Sequence, residues 1–336
     1  MSTIYRIHQK ICIFILLGLP PSINALFAQK IESPTFQTES NFDSTAKRWS
    51  GGGSLGLDAA GITLINPRLN EGESRLNAGG LANFWLNYQS KRWIWNNRGN
   101  LQLSLTQDGT SPDWTKSADA ILLNTQLGLR IRGNWYIALM ADVQTQLLRT
   151  YDSRFIASKD PNFVPRPLTS KFFSPATVKL APGFLWKPKS YFSILISAIS
   201  NKNIIVADNY LASLGDSATH QSLFGNDWSN PNNFSNISSQ IGGQLRVDFN
   251  KKFADDRLVL TSTLDVYSNY LKTPENLAVE WFTSFDAMLT ERFSLCLRSD
   301  WYYDHNVLVR IGGDPDNLGR RIFIRNTFLL KYNRNF

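Results

Sequence analysis

The chain has 336 residues, of which 43% are hydrophobic, 12% aromatic and 18% charged, with a formal charge of +8 and a mean hydropathy of -0.23. Past the N-terminal apolar run, no stretch approaches the about 18 consecutive apolar residues of a membrane-spanning helix, which excludes a helical membrane protein but not a barrel, whose alternating strands keep a modest average. The basic residues alternate with acids instead of forming a stripe, which argues against nucleic acid as a partner.

Met1 to Ala28 places Arg6 and Lys10 ahead of an apolar run from Ile11 to Leu19, followed by Pro20, Pro21 and the small residue Ala28. That order is the layout of a secretory signal peptide, 1–28, and the run is too short to anchor the chain as a helix. Cleavage there removes Cys12 and leaves Cys296 alone, so no intramolecular disulfide is expected in an exported protein. Residues 29–48 are polar and aperiodic and read as a flexible periplasmic lead, too short for a plug. A transmembrane β-barrel domain is expected over 49–336.

Segments of about ten alternating residues, the length a tilted strand needs to cross a bilayer, begin at Trp49. A first strand is expected around Ser54 to Leu64. The second places Ala82, Phe84, Leu86 and Tyr88 opposite Asn83, Trp85 and Asn87, and the third sets Trp93, Trp95, Leu101, Leu103 and Leu105 against Asn96, Arg98, Asn100, Gln102 and Ser104. In the fourth, Ile121, Leu123, Leu127, Leu129 and Ile131 oppose Asn124, Gln126 and Arg130. In the fifth, Trp135, Ile137, Leu139, Ala141, Val143 and Leu147 oppose Asp142, Gln144 and Gln146. Side chains of a strand point alternately to opposite faces, so one face of each meets lipid and the other a polar lumen.

Val178 to Trp186 and Phe192 to Ser200 form a sixth and seventh strand, the sixth carrying Pro182, which forfeits one ladder hydrogen bond. The eighth sets Ile237, Ile241, Leu245, Val247 and Phe249 against Gln240, Gln244, Arg246 and Asp248. Leu258 to Tyr270 turns Asp265 inward, Val279 to Leu289 turns Glu280 and Asp286 inward, and Phe293 to Tyr303 turns Arg298 and Asp300 inward. The last strand, Gly319 to Phe336, has Arg325 and Lys331 on its polar face and ends on Tyr332 and Phe336, the form of a C-terminal signal for the barrel-assembly machinery. Arg334 departs from that form.

The connections support twelve strands. Gln89-Ser90-Lys91-Arg92, Arg132-Gly133-Asn134 and Lys187-Pro188-Lys189-Ser190 are short turns, whereas 153–174 and 201–235 are long loops. Short periplasmic turns, long outer loops and an even strand number make a closed, antiparallel, all-β transmembrane barrel in a bacterial outer membrane, with membrane lipids as its surroundings. Aromatic residues near strand ends, among them Trp93, Trp95, Trp135, Trp186, Trp281, Trp301, Tyr303 and Tyr332, are expected to form interfacial girdles.

Several segments together resemble a family of uncharacterised outer-membrane β-barrel proteins, domain of unknown function 3078. They are Ala78-Gly79-Gly80 followed by Trp93-Ile94-Trp95-Asn96-Asn97, Asn134-Trp135-Tyr136 leading to Thr145-Gln146, Lys171-Phe172-Phe173-Ser174-Pro175-Ala176, and Tyr303-Asp304. The resemblance implies a barrel and outer-membrane placement, and no activity or catalytic residue.

Catalytic chemistry finds little support. His305 lies beside Asp304 and His220 lies in a long loop, but no nucleophile motif accompanies either, which argues against a lipid-modifying enzyme. No His or Cys pair has metal-ligand spacing, and Asp314 and Asp316 sit in a run that reads as a turn before it reads as a Ca²⁺ loop. No cofactor fingerprint occurs.

The constellation that bears on function is the inward set: Arg98, Arg130, Asp142, Gln144, Arg246, Asp248, Asp265, Glu280, Asp286, Arg298, Asp300, Arg325 and Lys331. Hydrated, these side chains line a channel for small solutes. Paired across the lumen, they close it and leave a scaffold whose outer loops, with Phe163, Phe172, Phe224 and Trp228, serve adhesion or partner binding.

Overall fold

The computed structural model describes residues 49–66, 75–107, 114–151, 168–216, 221–222, 228–230, 233–270, 273–305, 309–313 and 317–335. The expected leader and lead, His220, Asp314, Asp316 and Phe336 lie outside the described residues.

Twelve antiparallel strands form one closed barrel. They are β1 (Trp49–Ile65), β2 (Arg75–Gln89), β3 (Trp93–Gln107), β4 (Trp114–Arg132), β5 (Trp135–Thr145), β6 (Ala176–Lys189), β7 (Phe192–Ile205), β8 (Ile237–Phe253), β9 (Leu258–Asn269), β10 (Thr273–Met288), β11 (Phe293–Asp304) and β12 (Phe323–Asn335). Each pairs with its neighbours in sequence, and β12 closes on β1 in a register running from Ser54 opposite Asn335 to Ile65 opposite Ile324. Closure follows from the solvent: in hydrocarbon a bare strand edge leaves N–H and C=O groups without partners, at several kcal/mol each.

Most strands exceed the about 9–11 residues that cross a bilayer and so continue beyond the hydrocarbon layer. This is where the boundaries depart from expectation. β4 begins at Trp114, seven residues before Ile121, the first residue the alternation assigns to it, and β10 at Thr273, six before the expected Val279, because pairing continues into water where no apolar face is needed. The terminal strand instead begins later, at Phe323; Leu318–Gly319 pairs with Val309–Arg310 in a loop hairpin. Lys187 and Lys189 belong to β6, and the turn that follows is Ser190–Tyr191.

Alternation decides which side chain meets lipid. Along β5 the outward Leu139 is 45% exposed while the adjacent inward Met140 is 2% exposed. At the turn end, outward rings form contacting sets: Trp49 with Tyr88 and Trp95, Trp135 with Trp186, Trp186 with Phe192, Tyr191 with Phe249, and Phe293 with Tyr332, at centroid separations of 5.0–6.2 Å. Rings with an apolar body and a polar edge suit the headgroup level. Trp281 and Trp301 form a separate outward pair at 5.7 Å, away from that belt.

Two backbone devices shape the wall. Gly99 carries the Phe84 ring across its face, and a Cβ there would lie 1.9 Å from a ring carbon, so only glycine lets the ring cover the ladder. At Pro182 the β6–β7 register breaks between Leu180 and Phe184; the Ser197 hydroxyl donates to the Pro182 carbonyl at 2.7 Å, within the irregular stretch where the sequence expects a lost ladder bond.

Replacing Leu139, at mid-strand on the outward face, by arginine should destabilise the barrel by about 2–4 kcal/mol. Urea unfolding in phospholipid vesicles measures this, and an unchanged midpoint would mean that Leu139 does not face acyl chains.

Candidate functional site in the lumen

Antiparallel pairing sets inward residues of adjacent strands side by side, with Cβ atoms about 4.5–5.5 Å apart. Three polar rows result. Arg98, Asn124, Asp142 and Lys179 are directly opposed in turn across β3, β4, β5 and β6. Arg246, Asp265, Glu280 and Tyr302 are opposed across β8 to β11. Asp248, Thr263, Phe282, Asp300 and Arg325 continue from β8 to β12.

Within and between these rows charges meet. Arg246 holds Asp248 with Nε at 3.1 Å and reaches Asp142 with Nη1 at 3.7 Å, although Asp142 lies on β5 and Arg246 on β8. Asn124 donates to Asp142, and Thr263 donates to Asp248 at 3.0 Å. Gln244 donates to Asp265 Oδ2 at 2.6 Å and accepts from Ser200 at 3.0 Å. Asp300, fully buried, accepts from Arg298 Nε at 2.8 Å and from Arg325 Nη2 at 3.2 Å. Lys331 donates to Asp286 at 2.8 Å, and Arg130 donates to the Tyr136 hydroxyl at 2.7 Å. The structure thus places Arg98, Arg130, Asp142, Gln144, Arg246, Asp248, Asp265, Glu280, Asp286, Arg298, Asp300, Arg325 and Lys331 on one face of the sheet, and several of them touch each other. Tyr332 lies on the other face.

The inner face is not uniformly polar, and here the expectation of a polar lumen needs correction. Ile94, Tyr136, Ala138, Met140, Ala181, Leu185 and Leu195 form a buried apolar cluster on the inner side of β3, β5, β6 and β7. A second, of Phe282, Tyr302, Phe323 and Val309, lies against β10, β11 and β12, with Arg298 and Arg325 over the Phe282 and Tyr302 rings at 6.0 and 5.7 Å. A twelve-strand lumen is narrow enough for side chains to pack within it.

The inward charges Lys179, Lys187 and Lys202 escaped the sequence reading, Lys202 lying directly opposite Lys179, and so did the buried pair Lys116 and Asp119, which the register sets beside the outward Leu105 and Leu103. Lys116 pairs with Asp119 at 2.9 Å, and Asp119 also accepts from the Leu147 and Leu148 amides, tying the outer end of β4 to the chain leaving β5. Lys179 and Lys187 lie on the face of β6 opposite Leu180, Phe184 and Trp186. The alternation of lysine with apolar residues was a usable signal. Beside Phe282 lies a small cavity of ≈ 30 Å³ whose lining mixes Asp142, Gln144, Thr177, Lys179, Arg246, Thr263 and Asp265 with apolar Leu122, Leu123 and Val143.

Above the barrel, parts of two long loops fold together. Gln146, expected to face inward, lies just past β5 and donates to the carbonyls of Ser174 and Lys171 at 2.7 and 3.3 Å. Ser174 Oγ accepts from the Asp208 amide at 2.9 Å, and Asp208 caps the short helix Asn209–Ser213. Val206, Leu211 and Ala212 pack with Leu168, Leu214 and Phe234 as a small core. Burial alone would push the Asp208 carboxyl up, but the Lys171 ammonium and the Leu211 and Tyr210 amides outweigh it and hold it below the usual carboxylate range.

His305 stands 3.3 Å from the Tyr303 hydroxyl, beside the mouth. Among the described residues no three of His, Cys, Asp and Glu are grouped as a metal would require.

The family model described as protein of unknown function (DUF3078) matches residues 63–151, from the end of β1 to past β5, so the resemblance drawn from dispersed motifs holds over that stretch. No curated protein matches. Among solved structures, an outer membrane channel from Pseudomonas putida F1 is similar at 11% identity, covering 88% of this chain and 99% of that one, with a TM-score of 0.38. The NanC porin is similar at 8% identity, covering 82% and 98%, with a TM-score of 0.36. A FadL homologue of Pseudomonas aeruginosa is similar at 13% identity, covering 86% and 91%, with a TM-score of 0.30.

Asp300 tests the paired lumen. Asp300→Asn leaves Arg298 and Arg325 buried against a neutral partner and should cost about 3–5 kcal/mol in unfolding free energy. Adding Arg325→Met should recover part of that loss; strict additivity of the two changes would mean that the pair does not interact.

Proposed function

We propose that this outer-membrane-type barrel is a narrow conduit for small polar solutes, not an enzyme. The observation that carries the reading is the small charged cavity beside Phe282. Its walls hold Asp142, Lys179, Arg246 and Asp265, charges of both signs with Gln144, Thr177 and Thr263 among them, where a lumen built only as a scaffold would gain most from close apolar packing. Charged groups lining a constriction set which ions and solutes pass.

The same reading places the chain in the outer membrane of a bacterium, exported by its leader, surrounded by lipid along the outward face, and delivered to the assembly machinery through β12, the strand bearing Tyr332. A second reading, a closed barrel that displays its outer loops, has one specific observation in its favour: the loop parts around Gln146, Ser174 and Asp208 are cross-bonded and possess their own small core. Such a cap can present a surface, or can restrict what reaches the mouth.

Planar-bilayer recording separates the two. The conduit reading predicts discrete openings in potassium chloride and, for Asp142→Asn, a reversal potential displaced toward anion permeation. A purified, folded barrel that never opens across the accessible voltage range would contradict it.

A further inference from the structure

The lipid-facing wall of β9, β10, β11, β12 and β1 carries a polar row. Ser262, Thr283, Ser299, Asn326 and Thr63 are directly opposed in turn across these five strands, on the outward face that also bears Trp281 and Phe328. The rows on either side are apolar: Leu260, Phe285, Leu297 and Phe328 toward the turns, and Leu264, Trp281, Trp301 and Ile324 toward the mouth. Along β11, Ser299 stands about 15 Å up the membrane normal from Phe293 of the turn-end belt, at the usual strand rise and tilt, within an apolar band about 25 Å tall. The row therefore lies in hydrocarbon.

Within the wall its hydrogen bonding is incomplete. Trp281 and Trp301 donate from Nε1 to Ser262 at 2.9 Å and to Ser299 at 2.7 Å, the Ser262 and Thr283 hydroxyls are 3.3 Å apart, and Ser299 donates to Asn326 Oδ1 at 2.7 Å. Asn326 is exposed, and among the described residues its amide nitrogen donates to nothing. On β2, β3 and β4 a similar outward set closes on itself: Trp95 donates to Thr125, Thr125 to Asn97, and the Asn97 amide to the Leu86 carbonyl at 3.0 Å. That set needs no partner. The Asn326 amide instead faces acyl chains, which offer no acceptor.

We infer that this wall is where a second copy of the chain docks. A hydroxyl or a carboxamide is both donor and acceptor, so the row is complementary to itself. A two-fold axis along the membrane normal preserves depth, and with Asn326 nearest the axis the amide of each copy donates to Oδ1 of the other, an isologous contact. Side-chain hydrogen bonds formed where lipid is the alternative help to hold membrane segments together. Phe285, Leu297 and Phe328, all exposed, supply the apolar surround. The inference stands apart from the conduit reading.

The purified full barrel in phospholipid vesicles tests this. p-Benzoylphenylalanine placed at Phe328 should photo-link two copies into a dimer, and the same group at Leu139, on β5, should not. Förster transfer between barrels labelled at the Ser190 turn reads the association constant. Asn326→Leu should weaken association by about 10- to 100-fold, the loss of two symmetric hydrogen bonds, whereas Asn97→Leu should leave it unchanged. Heat-modifiable gel mobility identifies variants that have folded, and Asn326→Ala carries the test if Asn326→Leu does not fold. Barrels that stay monomeric at every protein-to-lipid ratio, equal linking from Phe328 and Leu139, or indifference to Asn326→Leu would overturn the inference. Lipopolysaccharide that stays bound to a monomer and is lost in Asn326→Leu would also overturn it, by giving the row to a lipid.

Discussion

Everything in this molecule follows from one constraint: a β-sheet immersed in hydrocarbon must satisfy all of its backbone hydrogen bonds within itself. β12 therefore pairs with β1 along most of its length, and the sheet has no edge. Closure then divides the side chains. Every second residue is forced toward lipid and every other one toward a space only as wide as twelve strands allow, so the sequence has to be apolar at one period-two position and is freer at the next. The outward face carries Leu139, Phe184, Leu245 and Phe328, with aromatic contacts concentrated at the turn end.

The inner face meets a different problem. Its space is too narrow to hydrate a dozen charges fully and too polar to leave them unpaired. The structure resolves this regionally. Asp300 is clasped by two arginines over a bed of Phe282, Tyr302 and Phe323, and Lys331 is paired with Asp286. On the opposite wall Tyr136, Leu185 and Leu195 pack as a soluble core would. Between these regions the charges are mixed: a small cavity is lined by Asp142, Lys179, Arg246 and Asp265. Local pairing thus supports the wall.

Much of this was legible where the two faces of a strand differ in chemistry. β8 reads Leu245, Val247, Phe249 against Gln244, Arg246, Asp248, and a register slipped by one residue would put the charged set in lipid, so the orientation was determined. Arg298 and Asp300, two apart on β11, had to share a face for the same reason. Legibility failed where both faces are apolar. From Tyr136 to Met140 alternation carries no sign, and the inner apolar cluster went unseen. Lys179 is less legible because Pro182 and Gly183 interrupt the alternation of β6, whose register breaks between Leu180 and Phe184. Contacts between strands far apart in order, such as Arg246 with Asp142, depend on the closed barrel and have no local signature. The ends of β4 and β10 extend past the apolar pattern because pairing in water needs no greasy face.

The central claim is that odd positions of β5 meet lipid and even positions meet the lumen. Nitroxide labels placed singly at 137 to 143, in barrels reconstituted into vesicles, test it through relaxation by dissolved oxygen, which concentrates in hydrocarbon. Oxygen accessibility should be high at 137, 139, 141 and 143 and low at 138, 140 and 142, a sawtooth of period two. A flat profile, or one with its maxima at 138, 140 and 142, would contradict the account.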